Sequence, residues 1–113
     1  MANLSNREAL ELWHSVIMNQ VTGGANDLSM RQFAILFTVY LEPGPHTVRG
    51  LAAKLNVTKP VITRALDAMG QLDLLARKRD PRDRRNVLIQ RTVAGALYVE
   101  NYGDLISKNA GLN

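Results

Sequence analysis

The chain has 113 residues, 46% apolar and 21% charged, with no cysteine. One packed core is the default at this size, a disulfide scaffold and a cysteine-ligated zinc site are excluded, and disorder is expected only in the first few residues and in the tail 109–113. The start, Met1 to Trp13, lacks the basic-then-apolar order of a secretory signal, and no stretch approaches the roughly 20 apolar residues of a membrane span. A cytoplasmic location with no membrane partner is therefore expected.

The net charge of +4 is unevenly placed. Between Thr47 and Arg91 there are eleven Lys and Arg against Asp67, Asp73, Asp80 and Asp83, a local +7, whereas the remainder carries three basic and six acidic residues. Such segregation predicts one polyanion-facing surface on a scaffold of opposite sign.

In chain order, Ser5-Asn6-Arg7-Glu8 reads as a capping box opening a helix over about 5–21. Its apolar residues, among them Leu10, Trp13, Val16, Ile17 and Val21, cover about half the helical circumference, more than one packing neighbour needs. Gly23-Gly24 ends it. Ser29-Met30-Arg31-Gln32 repeats the capping pattern, and Phe33 to Leu41 is apolar apart from Thr38, the pattern of a buried central helix. Glu42-Pro43-Gly44-Pro45 breaks that helix.

A helix-turn-helix is expected over about 47–72. Thr47 caps a short helix, Val48 to Leu55, and Asn56-Val57 forms the turn. Thr58 caps a second helix that has Pro60 in its first turn and Ile62, Ala65, Leu66 and Met69 facing inward. Leu74 to Arg79 and Asn86 to Arg91 read as strands flanking Asp80-Pro81-Arg82-Asp83-Arg84-Arg85, a hairpin with a basic tip over about 74–91. Thr92 caps a last helix over about 92–107. The expected fold is mainly α: a single winged helix-turn-helix domain over 1–113, with a β-hairpin wing and flanking terminal helices.

In such a motif the second helix enters the major groove and its first turns reach base edges. Thr63 and Arg64 lie one turn inside that helix, where an arginine fork matches guanine O6 and N7. Thr58 and Lys59 at its start, and Thr47 and Arg49 at the preceding helix, suit phosphates. Arg82, Arg84 and Arg85, beside Arg79, form an extended basic tip of the kind drawn into a narrow minor groove. Asp83 is read as holding a neighbouring arginine by a bidentate pair rather than as a ligand.

Leu28-Ser29 with Gln32-Phe33, Leu51-Ala52-Ala53-Lys54-Leu55, and above all Thr63-Arg64 with Asp80-Pro81-Arg82-Asp83-Arg84-Arg85, resemble the MarR family over about 28–95. The resemblance implies a dimeric winged-helix transcription regulator, a repressor, on a pseudopalindromic double-stranded operator, often released by a small-molecule effector. Asp73 stands where that family usually has glycine, which predicts a differently built loop, and Arg91 stands where leucine is usual.

The bland alternatives are specific. Arg64 has Asp67 one turn on as a surface ion-pair partner. His14 and His46 have no companions that would make a metal site, and Trp13, Tyr98 and Tyr102 suit core or subunit contact better than a ligand pocket. No paired carboxylates, activated nucleophile or phosphate-cradling glycine loop points to an enzyme, and no cofactor or metal is expected. A winged helix that binds an acidic protein partner is the second reading.

Overall fold

Capping chemistry sets the helix limits. The computed structural model describes residues 3–24 and 26–111. Ser5 accepts from the Glu8 amide while the Glu8 carboxylate accepts from the Ser5 amide, and helix α1 runs Asn6–Thr22. Ser29 and Gln32 make the same reciprocal pair at the start of α2, Met30–Leu41. The other helices are α3 (Val48–Leu55), α4 (Lys59–Gln71) and α5 (Val93–Asn109), and strands β1 (His46–Thr47), β2 (Leu75–Arg79) and β3 (Val87–Arg91) form one antiparallel sheet in the order β1-β3-β2. The helix α5 includes Asn109, which the sequence places in a disordered tail; residues 1, 2, 112 and 113 lie outside the described residues.

Two compact units are distinguished, residues 1–28 with 100–113, and 29–99. In the first, Val16 of α1 and Tyr102 of α5 are buried, and Leu4, Glu8, Leu12, Asn109 and Ala110 line one shallow cleft. In the second, Ile35, Leu36 and Val39 of α2 are fully covered, which explains the nearly unbroken apolar run of that helix. They share a core with Leu51, Ile62, Leu66, Met69, Leu75 and Ile89. Thr38, the one polar interruption, donates its hydroxyl to the Ala34 carbonyl, so its burial leaves no orphan group.

The turn between α3 and α4 uses Asn56 in the left-handed region (φ 56°), a conformation that asparagine tolerates better than most residues. Two sequence readings need correction here. Thr58 occupies the N-cap of α4, but its side chain makes no capping bond, leaving that end to Pro60 in the first turn. Asp73 (φ 58°) adopts the left-handed turn that glycine serves best, so the loop keeps a glycine-like path at an aspartate. The strand β1 was not legible: His46 and Thr47 pair with Ile89 and Leu88 while Thr47 also accepts from the Gly50 amide as a cap.

Both feet of the hairpin meet at one phenol. The Tyr40 hydroxyl donates to the Leu74 carbonyl at 2.8 Å and accepts from the Thr92 amide at 3.0 Å. Arg91 lies over the Tyr40 ring, 5.7 Å from its centroid, and its Nε donates to the Val39 carbonyl at 2.9 Å. Thr92 donates to the Asp73 carbonyl and caps α5 by accepting from the Gly95 amide. A β-carbon at Gly95 would overlap both the Tyr40 hydroxyl and the Leu74 carbonyl oxygen.

Gly95→Ala is therefore expected to destabilise the protein by about 1–3 kcal/mol, the usual range for overpacking a filled site. Chemical denaturation of the two proteins measures it, and a loss under about 0.5 kcal/mol, the level of an ordinary surface substitution, would show that the junction yields freely.

Candidate nucleic-acid interface

The exposed side of α4 is defined by what its other side buries. Ile62, Ala65, Leu66 and Met69 face the core, which turns Lys59, Thr63, Arg64 and Asp67 to solvent. Thr63 and Arg64 are consecutive and so point about 100° apart, toward different neighbours. Thr63 lines a cleft of about 170 Å³ with Arg49 of α3, Lys59 at the start of α4, and Arg85 and Asn86 of the hairpin. Arg64 lines a second cleft, of about 360 Å³, with Ser29, Arg31 and Gln32 at the start of α2.

Of the ten residues singled out from the sequence, Arg49, Lys59, Thr63 and Arg85 converge on the first cleft. Thr47 adjoins it in sequence, with its hydroxyl engaged as the α3 cap. Thr58 is exposed before Lys59. Arg82 and Arg84 are exposed at the hairpin tip and have no carboxylate partner among the described residues. Arg79 donates to the Arg84 carbonyl at 2.7 Å and so shapes the loop rather than standing free. Arg31 lies outside the basic segment; only the fold brings it to Arg64, and the sole sequence signal was its place in the second capping box.

The hairpin loop is held by its two aspartates. Asp80 accepts from the Arg82 amide and Asp83 from the Arg85 amide, two side-chain-to-backbone turns in succession. Asp83 also takes Arg85 in a two-pronged pair, Nε at 3.0 Å and Nη2 at 3.1 Å, the arrangement its sequence position predicts. The Arg85 guanidinium first, then the Arg85 amide and, more distantly, Arg49 hold the Asp83 carboxyl below the ordinary carboxylate range. Asp67 does not pair with Arg64: it accepts from Arg77 of β2 at 2.6 Å, while the Arg64 Nε donates to the Pro60 carbonyl at 3.4 Å. Lys54 is likewise taken by Glu42 at 2.7 Å. Asp83 thus pairs with one cation of the wing-side cleft, Arg85, whereas Asp67 and Glu42 pair with cations outside both clefts, and no acidic residue among the described residues lines either cleft.

These features define a winged helix-turn-helix protein: α3 and α4 are the motif, and β2 and β3 with their basic loop are the wing. A MarR family model matches residues 28–87, more than half the chain, and the chain belongs to the MarR family. By class it is a DNA-binding transcriptional regulator. The transcriptional regulator Tm0710 from Thermotoga maritima superposes with a TM-score of 0.73 at 24% identity, over 90% of this chain and 69% of that one. The S. aureus MepR–DNA complex gives 0.76 at 21%, over 88% and 79% of the two chains. The transcriptional repressor CouR bound to a 23-mer DNA duplex gives 0.71 at 23%, over 93% and 71%. Sequence comparison with functionally curated proteins returns no match. No helix among the described residues is long and apolar enough to cross a membrane.

A carboxyl whose pKa is lowered by folding supports the loop at every pH above its unfolded value, about 3.9, and loses that support as pH falls through the lowered native value. The Asp83–Arg85 pair is therefore expected to persist unchanged from about pH 8 to pH 5 and to open only below about pH 4. Carboxyl-carbon NMR titration checks this, and a midpoint for Asp83 at or above that of ordinary exposed aspartates would contradict it.

Proposed function

We propose that the protein is a homodimeric, cytoplasmic, sequence-specific regulator of double-stranded DNA, acting as a repressor, with α4 in the major groove and the wing in the minor groove. The observation that carries this reading is the convergence of Arg49, Lys59, Thr63 and Arg85, from α3, α4 and the hairpin loop, on one cleft that no acidic residue lines among the described residues. In this reading Arg64 and Thr63 reach base edges, Thr47, Arg49, Thr58 and Lys59 hold phosphates, and Arg82, Arg84 and Arg85, shaped by Arg79, follow the backbone into the minor groove. The repressor assignment follows CouR, whose structure is of a repressor on DNA.

A second copy is supported by α1. Leu10, Trp13, Ile17 and Val21 fall within about 80° of one another at 3.6 residues per turn. All are substantially exposed, Leu10 at 67% and Val21 at 58%. A stripe of this size in water marks an interaction surface, and a two-fold axis covers it with an identical stripe. On a two-fold operator, a dimer presents its two copies of α4 to successive major-groove faces, roughly 34 Å apart.

Arg64→Ala is expected to reduce discrimination between the operator and competitor DNA, by about 1–3 kcal/mol at one base pair. Arg84→Ala should weaken all duplexes alike and flatten the dependence of log affinity on log salt by about one. Anisotropy titrations distinguish the two, and equal effects of both variants would refute the division of labour. Absence of duplex binding even at low salt would favour the acidic-protein reading instead. Trp13→Glu should yield monomers in sedimentation at micromolar concentration and weaken operator binding at least tenfold; a wild-type protein that stays monomeric both free and on operator DNA would remove the dimer.

A further inference from the structure

The cleft on the outer flank of α4 carries a group that the reading above does not use. Arg31 is exposed and has no hydrogen-bond or carboxylate partner among the described residues. Across the cleft, the Arg64 Nε is tied to the Pro60 carbonyl, which fixes the root of the guanidinium and leaves its two Nη groups open. Gln32 lines the same cleft. Because the Ser29 amide donates to Gln32 Oε1 at 2.8 Å, that atom must be the acceptor, and the two hydrogens on Nε2 remain to be given elsewhere. The floor is Val61 and Ala65, apolar and at least half covered, which keeps competing water from one side and strengthens a charge-assisted bond formed there.

The two clefts together are more informative than either alone. One lies on the wing side of α4 with Arg49, Lys59 and Arg85, and the other on the α2 side with Arg31 and Arg64. A helix with its side chains is about 10–12 Å across, and the major groove of B-DNA is about 12 Å wide. A helix seated in it therefore has one sugar-phosphate wall on each side. A small free anion would account for one basic cleft but not for a pair straddling the ridge that enters the groove.

We propose that the α2–α4 cleft is a seat for a DNA backbone phosphate, with Arg31 as its cation and the Gln32 amide as second donor, on the strand opposite the one the wing-side cleft holds. The inference rests on the reading of α4 as the major-groove helix. It also gives Arg64 a defined place, at the inner rim of the seat, between the phosphate and the base edges.

The test uses the full chain with an operator selected from random DNA and an unrelated duplex of equal length. Arg31→Ala should weaken binding to both by the same factor, about 3- to 10-fold, and reduce the slope of log affinity on log salt by about one, while Arg31→Lys restores the slope. In a scan of single methylphosphonate linkages, one neutralised phosphate should weaken the wild type and leave Arg31→Ala unaffected. An unchanged slope with no linkage that becomes silent, while Arg84→Ala still flattens its own slope, overturns the seat and leaves DNA binding standing. A loss confined to the operator overturns it also, since Arg31 would then read a base. Sub-millimolar binding of inorganic phosphate that Arg31→Ala abolishes, without any silent linkage, identifies a free-anion site and overturns it. If the wild type shows no salt-dependent duplex binding, the major-groove reading itself fails and the seat with it.

Discussion

The Tyr40 hydroxyl bonds to both feet of the hairpin and so governs where the wing and the end of α4 stand. Its bond to the Leu74 carbonyl fixes the chain as it leaves α4 and enters β2, and its bond from the Thr92 amide fixes the chain as it leaves β3 and enters α5. A single phenol on the central helix therefore clamps both feet of the wing and the end of α4 to one point. Each bond between partly buried groups contributes on the order of 1 kcal/mol net. Their geometric effect is larger, because a tilt at the hairpin base is multiplied along the wing to its tip. Arg91 completes the clamp by lying over the ring, and Gly95 is required because no side chain fits between the phenol and the Leu74 carbonyl.

The clamp explains how a segment of charge +7 holds its cations close together. Arg49, Lys59 and Arg85 share a cleft in which like charges repel, so the scaffold must supply the free energy that keeps them there. Carboxylates answer part of this repulsion from beside the clefts, Asp83 on Arg85 and Asp67 on Arg77. As exposed pairs they add little stability. Their value is directional: Asp83 fixes the plane of the Arg85 guanidinium, and Asp67 draws the Arg77 side chain from β2 onto α4. The tip arginines Arg82 and Arg84 stay exposed and without carboxylate partners among the described residues, so the loop between β2 and β3 keeps unpaired positive charge.

What was legible in the sequence depended on local chemistry. Two capping boxes, a nearly unbroken apolar run and a proline-aspartate loop between alternating strands each write their structure within a few residues, and α1, α2 and the wing were read from them. The Asp83–Arg85 pair was legible for the same reason. What escaped reading was set by contacts distant in sequence. β1 is a two-residue strand that exists only because β3 lies beside it, and Arg91 finds its partners in α2, an element read without reference to it. Arg31 looked like part of a capping box until the fold set it opposite Arg64. Thr58 failed as a side-chain cap although its residue type suits the position, and Asp73 kept a glycine-like turn because aspartate tolerates left-handed backbone.

One recognition unit alone is a small reader. A single DNA-binding module typically buries roughly 600–1,000 Å² of protein surface on its site, well below the areas of large specific complexes. The two clefts and the wing of one chain would neutralise only a few phosphates, and that contribution falls steeply as salt rises. Two linked units change the arithmetic, because once the first half-site is bound the second association is intramolecular, at an effective concentration set by the linkage. The gain depends on stiffness: a loose link spreads the second reader over many registers, whereas one fixed near a helical repeat accepts a single spacing. Rigidity within residues 29–99, supplied by the Tyr40 clamp, and the apolar stripe on α1 thus serve the same end. In the proposed dimer, the first would orient each reader on its half-site, and the second would hold two readers together so that two half-sites can be read at once.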